Sequence, residues 1–232
     1  MIYRFRLEAN KVDSNQSQKL AIPAVVEYLN AGQLNLMKTR YGSNNAYQAT
    51  LEQIQKRIDE WQKLIVPHKI LEGTEDKDNK AYTFKLSEAE AYCFLLRCSF
   101  VASKEKCIGQ TINNAYYVQT DDLNINFDNP NSNSNFEWRE VNYRLAQDLI
   151  IAYTDSHFSF SIDKANIDYL RYPVEMDLSG YRHFDGTDSS DIDCELPKFL
   201  HPDIVTEGVL LFKAALNHPD LQARQYVKAL EE

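Results

Sequence analysis

Two hydrophobic rhythms divide the chain. From Ile22 to Ile65 apolar residues recur at helical spacing. Pro23 suits a first helical turn, where its missing N–H costs nothing, and Val25, Val26, Leu29, Leu36 and Met37 follow on one face. Gly32 leaves room there for a close neighbour. Tyr41-Gly42 stops this helix, and Ser43-Asn44-Asn45 offers caps for a second. In the second, Tyr47, Leu51, Ile54, Ile58, Trp61 and Ile65 form a seam that Pro67 ends. The short connection makes the two helices antiparallel neighbours.

Two-residue alternation then takes over. Met1–Leu7 already alternates apolar and basic residues, which reads as a strand in an N-terminal lead-in over 1–21. Tyr82, Phe84 and Leu86 alternate with polar neighbours, and Tyr92–Val101 is an apolar run that fits a buried strand or a short helix. Ile108–Val118 reads as one strand. Val141, Tyr143 and Leu145 form another, and Leu149, Ile151 and Tyr153 a third, with Gln147-Asp148 as the hairpin turn between those two. Thr154-Asp155-Ser156-His157 makes a further turn, after which Phe158, Phe160 and Ile162 alternate. Ile167–Tyr172 is one more strand, stopped by Pro173. The sum is a small antiparallel sheet of about five strands, or a barrel.

Polar loops interrupt this region at 72–80, at the asparagine-rich 121–135 and at 174–195. Helical spacing returns at the end. His201-Pro202-Asp203 and His218-Pro219-Asp220 repeat one helix-start signal, with proline in the first turn and aspartate facing the positive helix end. Ile204, Val205, Gly208, Leu211, Phe212, Ala215 and Leu216 make a broad apolar stripe between them, and Leu221, Val227 and Leu230 a weaker one after them. The expected fold class is α+β. Helices of 22–66 and 196–232 close on each other as a bundle, and a β-rich domain with long loops, 67–195, is inserted between them.

Composition narrows the functions. The net charge is −9, against the basic face that nonspecific nucleic-acid binding needs. No apolar stretch approaches the ~20 residues of a membrane span, and Met1–Leu7 lacks the apolar run of a signal peptide. Cys93, Cys98, Cys107 and Cys194 match no zinc or thioredoxin spacing and read as reduced thiols.

Chemistry is sparse. The strongest metal candidate is the acidic loop with Asp185, Asp188, Asp191, Asp193 and Glu195, but its spacing and glycine position do not match an EF-hand, so it reads as solvated. His201 and His218 belong to helix starts, His68 follows Pro67, His157 sits in a turn, and His183 lies near Asp185 without a serine or cysteine motif. Phosphate-cradling glycine loops and nucleophile-elbow motifs are absent from the sequence. The expectation is no enzyme, with no catalytic, cofactor-binding or metal residues and no cofactor. Trp61 reads as core; Trp138 either anchors its loop to the sheet or sits in a subunit contact.

Three segments carry a resemblance. They are Ile22-Pro23 through Leu29–Gln33 to Lys38–Tyr41, then Ile167–Pro173, then Asp193–Pro197 through Leu200–Val205. Together they resemble the ring, or adaptor, proteins beneath the portal of crAss-like podoviruses of Bacteroides. The resemblance implies a virion structural protein at the head–tail junction, assembled in the host bacterial cytoplasm. Its partners would be copies of itself in a ring of twelve, the portal protein and neighbouring tail ring proteins. DNA would only pass through the lumen, and no membrane would be involved. The contact regions expected are 200–230 and the loops 121–136 and 174–195. Rival readings are a non-enzymatic binding module and a metal-dependent enzyme using the 185–195 carboxylates.

Overall fold

The computed structural model describes residues 1–9, 20–41, 55–105, 107–123, 129, 131–183 and 186–216. Two compact units emerge. One comprises Met1–Lys63 with Pro173–Glu232, the other Leu64–Tyr172. The segment 174–195 therefore belongs with the helices.

The expected helical bundle with an inserted antiparallel β module is overturned. The chain is mostly β, 37% strand and 30% helix, with nine strands in two sheets among the described residues. Several runs divide differently from expectation. Ile108–Val118 is not one strand but two, β5 (Cys107–Ile112) and β6 (Asn114–Tyr117), in different sheets. The runs at 158–162 and 167–172 are instead joined in one long strand, β9 (Ser161–Arg171). The polar loop 72–80 contains β2 (Thr74–Asp76), paired with β3 (Ala81–Lys85).

In Leu64–Tyr172, the first sheet has the order β1 (Ile65–Glu72), β9, β4 (Tyr92–Lys104), β5. The second has the order β2, β3, β8 (Leu149–Tyr153), β7 (Glu140–Ala146), β6. Gly73 alone separates β1 from β2, and Asn113 alone separates β5 from β6. Each pair thus works as one bent strand shared by both sheets, and the sheets close round a single interior. That circuit has seven strand positions, too many by one for strict alternation of direction. One neighbouring pair must run parallel, and it is β6 with β7; every other pair is antiparallel. Phe84, Phe100, Ile112, Val141, Ile150 and Ile162 fill the interior, with the Phe84 and Phe100 rings 5.7 Å apart across it.

The corner at Gly73 needs glycine. A Cβ there would lie 2.8 Å from the Ile162 carbonyl oxygen and 3.0 Å from the Phe84 ring. Pro67 also changes role. Instead of ending a helix it sits in β1, where the register shifts between Val66 and Lys69. Proline disfavours the helical region for the residue before it, so β-branched Ile65 and Val66 leave the expected seam for the strand. The Gln147-Asp148 turn lies where alternation places it, with φ of 51° and 58°, the two-residue turn that matches strand twist.

The other unit holds α1 (Ile2–Ala9), α2 (Ile22–Tyr41), α3 (Gln55–Trp61) and α4 (His201–Ala215). Met1–Leu7 is not a strand. Phe5 is fully buried, 6.5 Å from the Tyr28 ring and 6.1 Å from Phe212, and this packing overrides the local alternation. Of the expected seam, Tyr47, Leu51 and Ile54 lie outside the described residues, and Trp61 is completely buried. His201-Pro202-Asp203 starts α4 as expected; His218-Pro219-Asp220 lies outside the described residues.

Helices α2 and α4 cross at two glycines. A Cβ on Gly32 would meet the Gly208 nitrogen at 2.7 Å, and one on Gly208 would meet the Tyr28 carbonyl oxygen at 2.8 Å. Arg40 ties the same elements together. Its Nη1 donates to Glu60 Oε2 at 2.7 Å and its Nη2 to Asp203 Oδ2 at 2.6 Å, so α2 holds both α3 and the first turn of α4. No described helix is long and apolar enough to cross a membrane.

Gly208→Ala tests the crossing. Removing a mid-helix glycine gains about 0.5–1 kcal/mol of backbone entropy. Forcing the helices apart costs about 1–3 kcal/mol. The clash is with backbone, so the cost wins, and urea unfolding should show a net loss of about 1–2 kcal/mol.

Candidate functional site

The segment 173–197 carries the residues from which sequence suggested a metal site, and its geometry spends them on itself. The organising group is Asp177, which sequence reasoning did not single out. Its Oδ1 accepts from the Leu178 N–H at 2.8 Å and from the Tyr181 hydroxyl at 2.5 Å. Its Oδ2 accepts from the Ser190 N–H at 2.9 Å and lies 3.2 Å from His183 Nε2. Donors that favour the charged carboxylate, the Tyr181 hydroxyl foremost, hold Asp177 well below the usual carboxylate range. Desolvation, then the bond to Asp177, pushes the Tyr181 phenol up to about 12.

The remaining carboxylates point to separate tasks. Asp191 accepts from the backbone and the hydroxyl of Ser179, at 2.7 and 3.0 Å. Glu195 accepts from the Val174 N–H at 3.0 Å. Asp188 lies 3.6 Å from the Arg182 guanidinium. Asp193 lines a neighbouring groove, and Asp185 lies outside the described residues. Among the described residues no three of His, Cys, Asp and Glu converge as a metal site would require. Isolated bridges join Asp177 to Ile192 and Arg182 to Asp188, so the stretch folds back as an irregular hairpin.

Asn30 pins that hairpin to α2. Its Nδ2 donates to the Met176 carbonyl and its Oδ1 accepts from the Met176 N–H, both at 2.9 Å. The side-chain amide thus pairs with backbone as a neighbouring strand would. Beside the pin runs a groove of about 540 Å³, lined by Ile2, Val26, Leu29, Met176 and Leu196, with Lys63, Cys194, Lys198 and His201 among its polar groups.

The other sequence candidates scatter. Cys98, Cys107 and Cys194 are free thiols. Burial pushes the Cys98 thiol up to about 12, far from a reactive thiolate. The His68 backbone N–H donates to Asp168 Oδ1 at 2.7 Å, and Arg97 lies 3.8 Å from the same carboxylate, on the exposed side of the first sheet. Trp61 is core. Trp138 does not anchor its loop; the buried Phe136 does, 5.8 Å from Phe160, while Trp138 is 60% exposed. The turn is set by Asn135, whose Oδ1 accepts from the Glu137 and Trp138 N–H groups at 2.8 and 3.1 Å.

Among the described residues, the exposed large apolar side chains of the β unit are Ile70, Ile108, Tyr116, Tyr117, Trp138, Leu145 and Tyr172. Ile108 on β5 is 82% exposed, and Tyr116 and Tyr117 on β6 are also exposed. Trp138 lies at the same end as Ile108. Lys104, the register partner of Cys107, reaches Glu137 at 3.1 Å. Isolated exposed apolar residues are ordinary on a protein surface. No protein-family model matches the chain, and no curated protein matches it.

Asp177→Asn tests the knot. A depressed folded pKa contributes stability above the unfolded value, near 3.8, and that contribution disappears as pH falls through the folded value. The urea midpoint of the variant should fall below wild type at neutral pH, and the gap should close as pH drops below about 4. A gap that stays constant to low pH contradicts this reading of Asp177.

Proposed function

We propose that the chain is a non-catalytic virion structural protein, one copy of a ring that adapts a phage portal to its tail. Two things support the reading. The three sequence segments resemble ring proteins of crAss-like podoviruses. The β unit carries exposed Ile108, Tyr116 and Tyr117 on β5 and β6 and exposed Trp138 in the turn before β7, and this is the observation the reading rests on. Aromatic side chains bury large area for little lost entropy, which suits them to interface centres.

A ring needs a head-to-tail contact, in which one patch meets a different patch on the next copy. The β unit offers unlike corners for that purpose. The β5–β6 corner presents apolar side chains, whereas the β1–β2 corner carries Glu72, Glu75 and Asp76. Twelve copies would match a dodecameric portal. The acidic composition would give a lumen through which DNA passes without adhering.

The mass of the chain, measured alone and with portal protein, tests the proposal. A ring-sized species should form on the portal, and the chain should be present in purified phage particles. Trp138→Ala should weaken that assembly by about 2 kcal/mol while leaving the monomer folded. A chain that stays monomeric with portal and is missing from particles contradicts the proposal.

A further inference from the structure

The outer face of the second sheet carries an arginine without a counter-charge among the described residues. Val141, Ile150 and Ala152 point into the interior from β7 and β8. By alternation Asn142, Arg144 and Tyr153 lie on the other side. Arg144 is partly buried, and its guanidinium carbon stands 5.9 Å from the centre of the Tyr153 ring. Its Nε is shut off from solvent and has no acceptor. Among the described residues no carboxylate comes within 4.0 Å of it. We propose that Arg144 receives the Glu75 carboxylate of the next copy. The proposal rests on the head-to-tail contact of the ring reading and names one ion pair in it.

The chemistry of the arginine points to a carboxylate. A guanidinium steadied by an aromatic ring is set for a planar, two-pronged acceptor. Holding its charge partly out of water is unfavourable until an anion arrives. A nucleic-acid backbone is the poorer fit, because it is gripped by several cations together, and this chain carries a net charge of −9.

Position selects Glu75 as the donor of that carboxylate. At the β1–β2 corner, Glu72 already meets Lys164 at 3.0 Å, and Asp76 meets the Asn79 amide at 2.8 Å. Glu75 lies 3.7 Å from the exposed Lys77, beyond hydrogen-bond distance, and is the carboxylate left to turn outward. Strands β3 and β8 separate β2 from β7 by about 14 Å, so Glu75 and Arg144 do not pair within one copy. Strand β2 is one edge of the sheet, and Arg144 lies one residue past Tyr143, the last partner of β6 at the other edge. Residues near opposite edges are what a head-to-tail contact joins.

Assembly of the full chain on portal protein, read by mass, tests the pair. Arg144→Glu and Glu75→Lys should each lower the yield of the ring-sized species by about tenfold, because each sets like charges against one another. An equimolar mixture of the two variants should recover the wild-type yield. In an even-numbered ring the variants alternate, and every contact then joins opposite charges. Recovery also shows that neither variant is misfolded. Single variants that assemble as wild type does, or a mixture that fails to recover, overturn the ion pair and leave the ring reading standing. Wild-type chain that forms no ring-sized species overturns both. Duplex DNA bound by wild type and released by Arg144→Glu, with ring yield unchanged, assigns the guanidinium to phosphate and overturns the pair.

Discussion

The β unit depends on one constraint: a sheet leaves unpaired N–H and C=O groups along its edges, and each must be paired or covered. The chain meets it by bending two strands so that each belongs to both sheets. Gly73 permits one bend because only hydrogen fits against the Ile162 carbonyl. Asn113 makes the other. Once the circuit holds seven positions, a parallel pair is required, and it falls next to the second corner at β6 and β7. That corner is also where Ile108, Tyr116 and Tyr117 reach solvent. Topology and surface chemistry are therefore linked there.

The helical unit is organised by close approach rather than by charge. Gly32 and Gly208 bring α2 and α4 to backbone contact, and Phe5, Tyr28 and Phe212 cover the crossing. Arg40 links Glu60 and Asp203, but the desolvation cost of a buried ion pair offsets much of its attraction. Its effect is to fix register between elements already packed. The Asp177 knot has a similar place in the irregular segment. Four contacts to one carboxylate give shape to a stretch without apolar periodicity.

Features set by local chemistry were legible in the sequence. Pro202 and Asp203 start α4, Pro23 opens α2, and Gln147-Asp148 turns the β7–β8 hairpin. Features set by distant contact were not. Met1–Leu7 alternates like a strand, but Phe5 finds an aromatic pocket that only the folded unit creates. Ile65 continues a helical seam by spacing, yet β9 offers it a strand partner about a hundred residues away. Strand count was understated because bends at single residues leave little trace in hydropathy. The weight of helix was overstated, and with it the expected bundle, in part because Ile65 and Val66 leave the helical seam for β1. The acidic loop was read as solvated, whereas Asp191 and Glu195 bond within the segment, and nothing in its spacing pointed to Asp177 as the centre. Trp138 left two roles open, and its own 60% exposure speaks against anchoring the loop.

The proposed assembly role lies on the surface of the β unit, at the β5–β6 corner. Hydrogen exchange across the full chain, followed before and after assembly, examines that claim most directly. The interior strands β4, β8 and β9 should exchange slowly in both states. The corner strands β5 and β6 should exchange quickly in the monomer and slow markedly in the assembled form. Rapid exchange of β8 and β9 in the monomer, or assembly that leaves β5 and β6 unchanged, would contradict it.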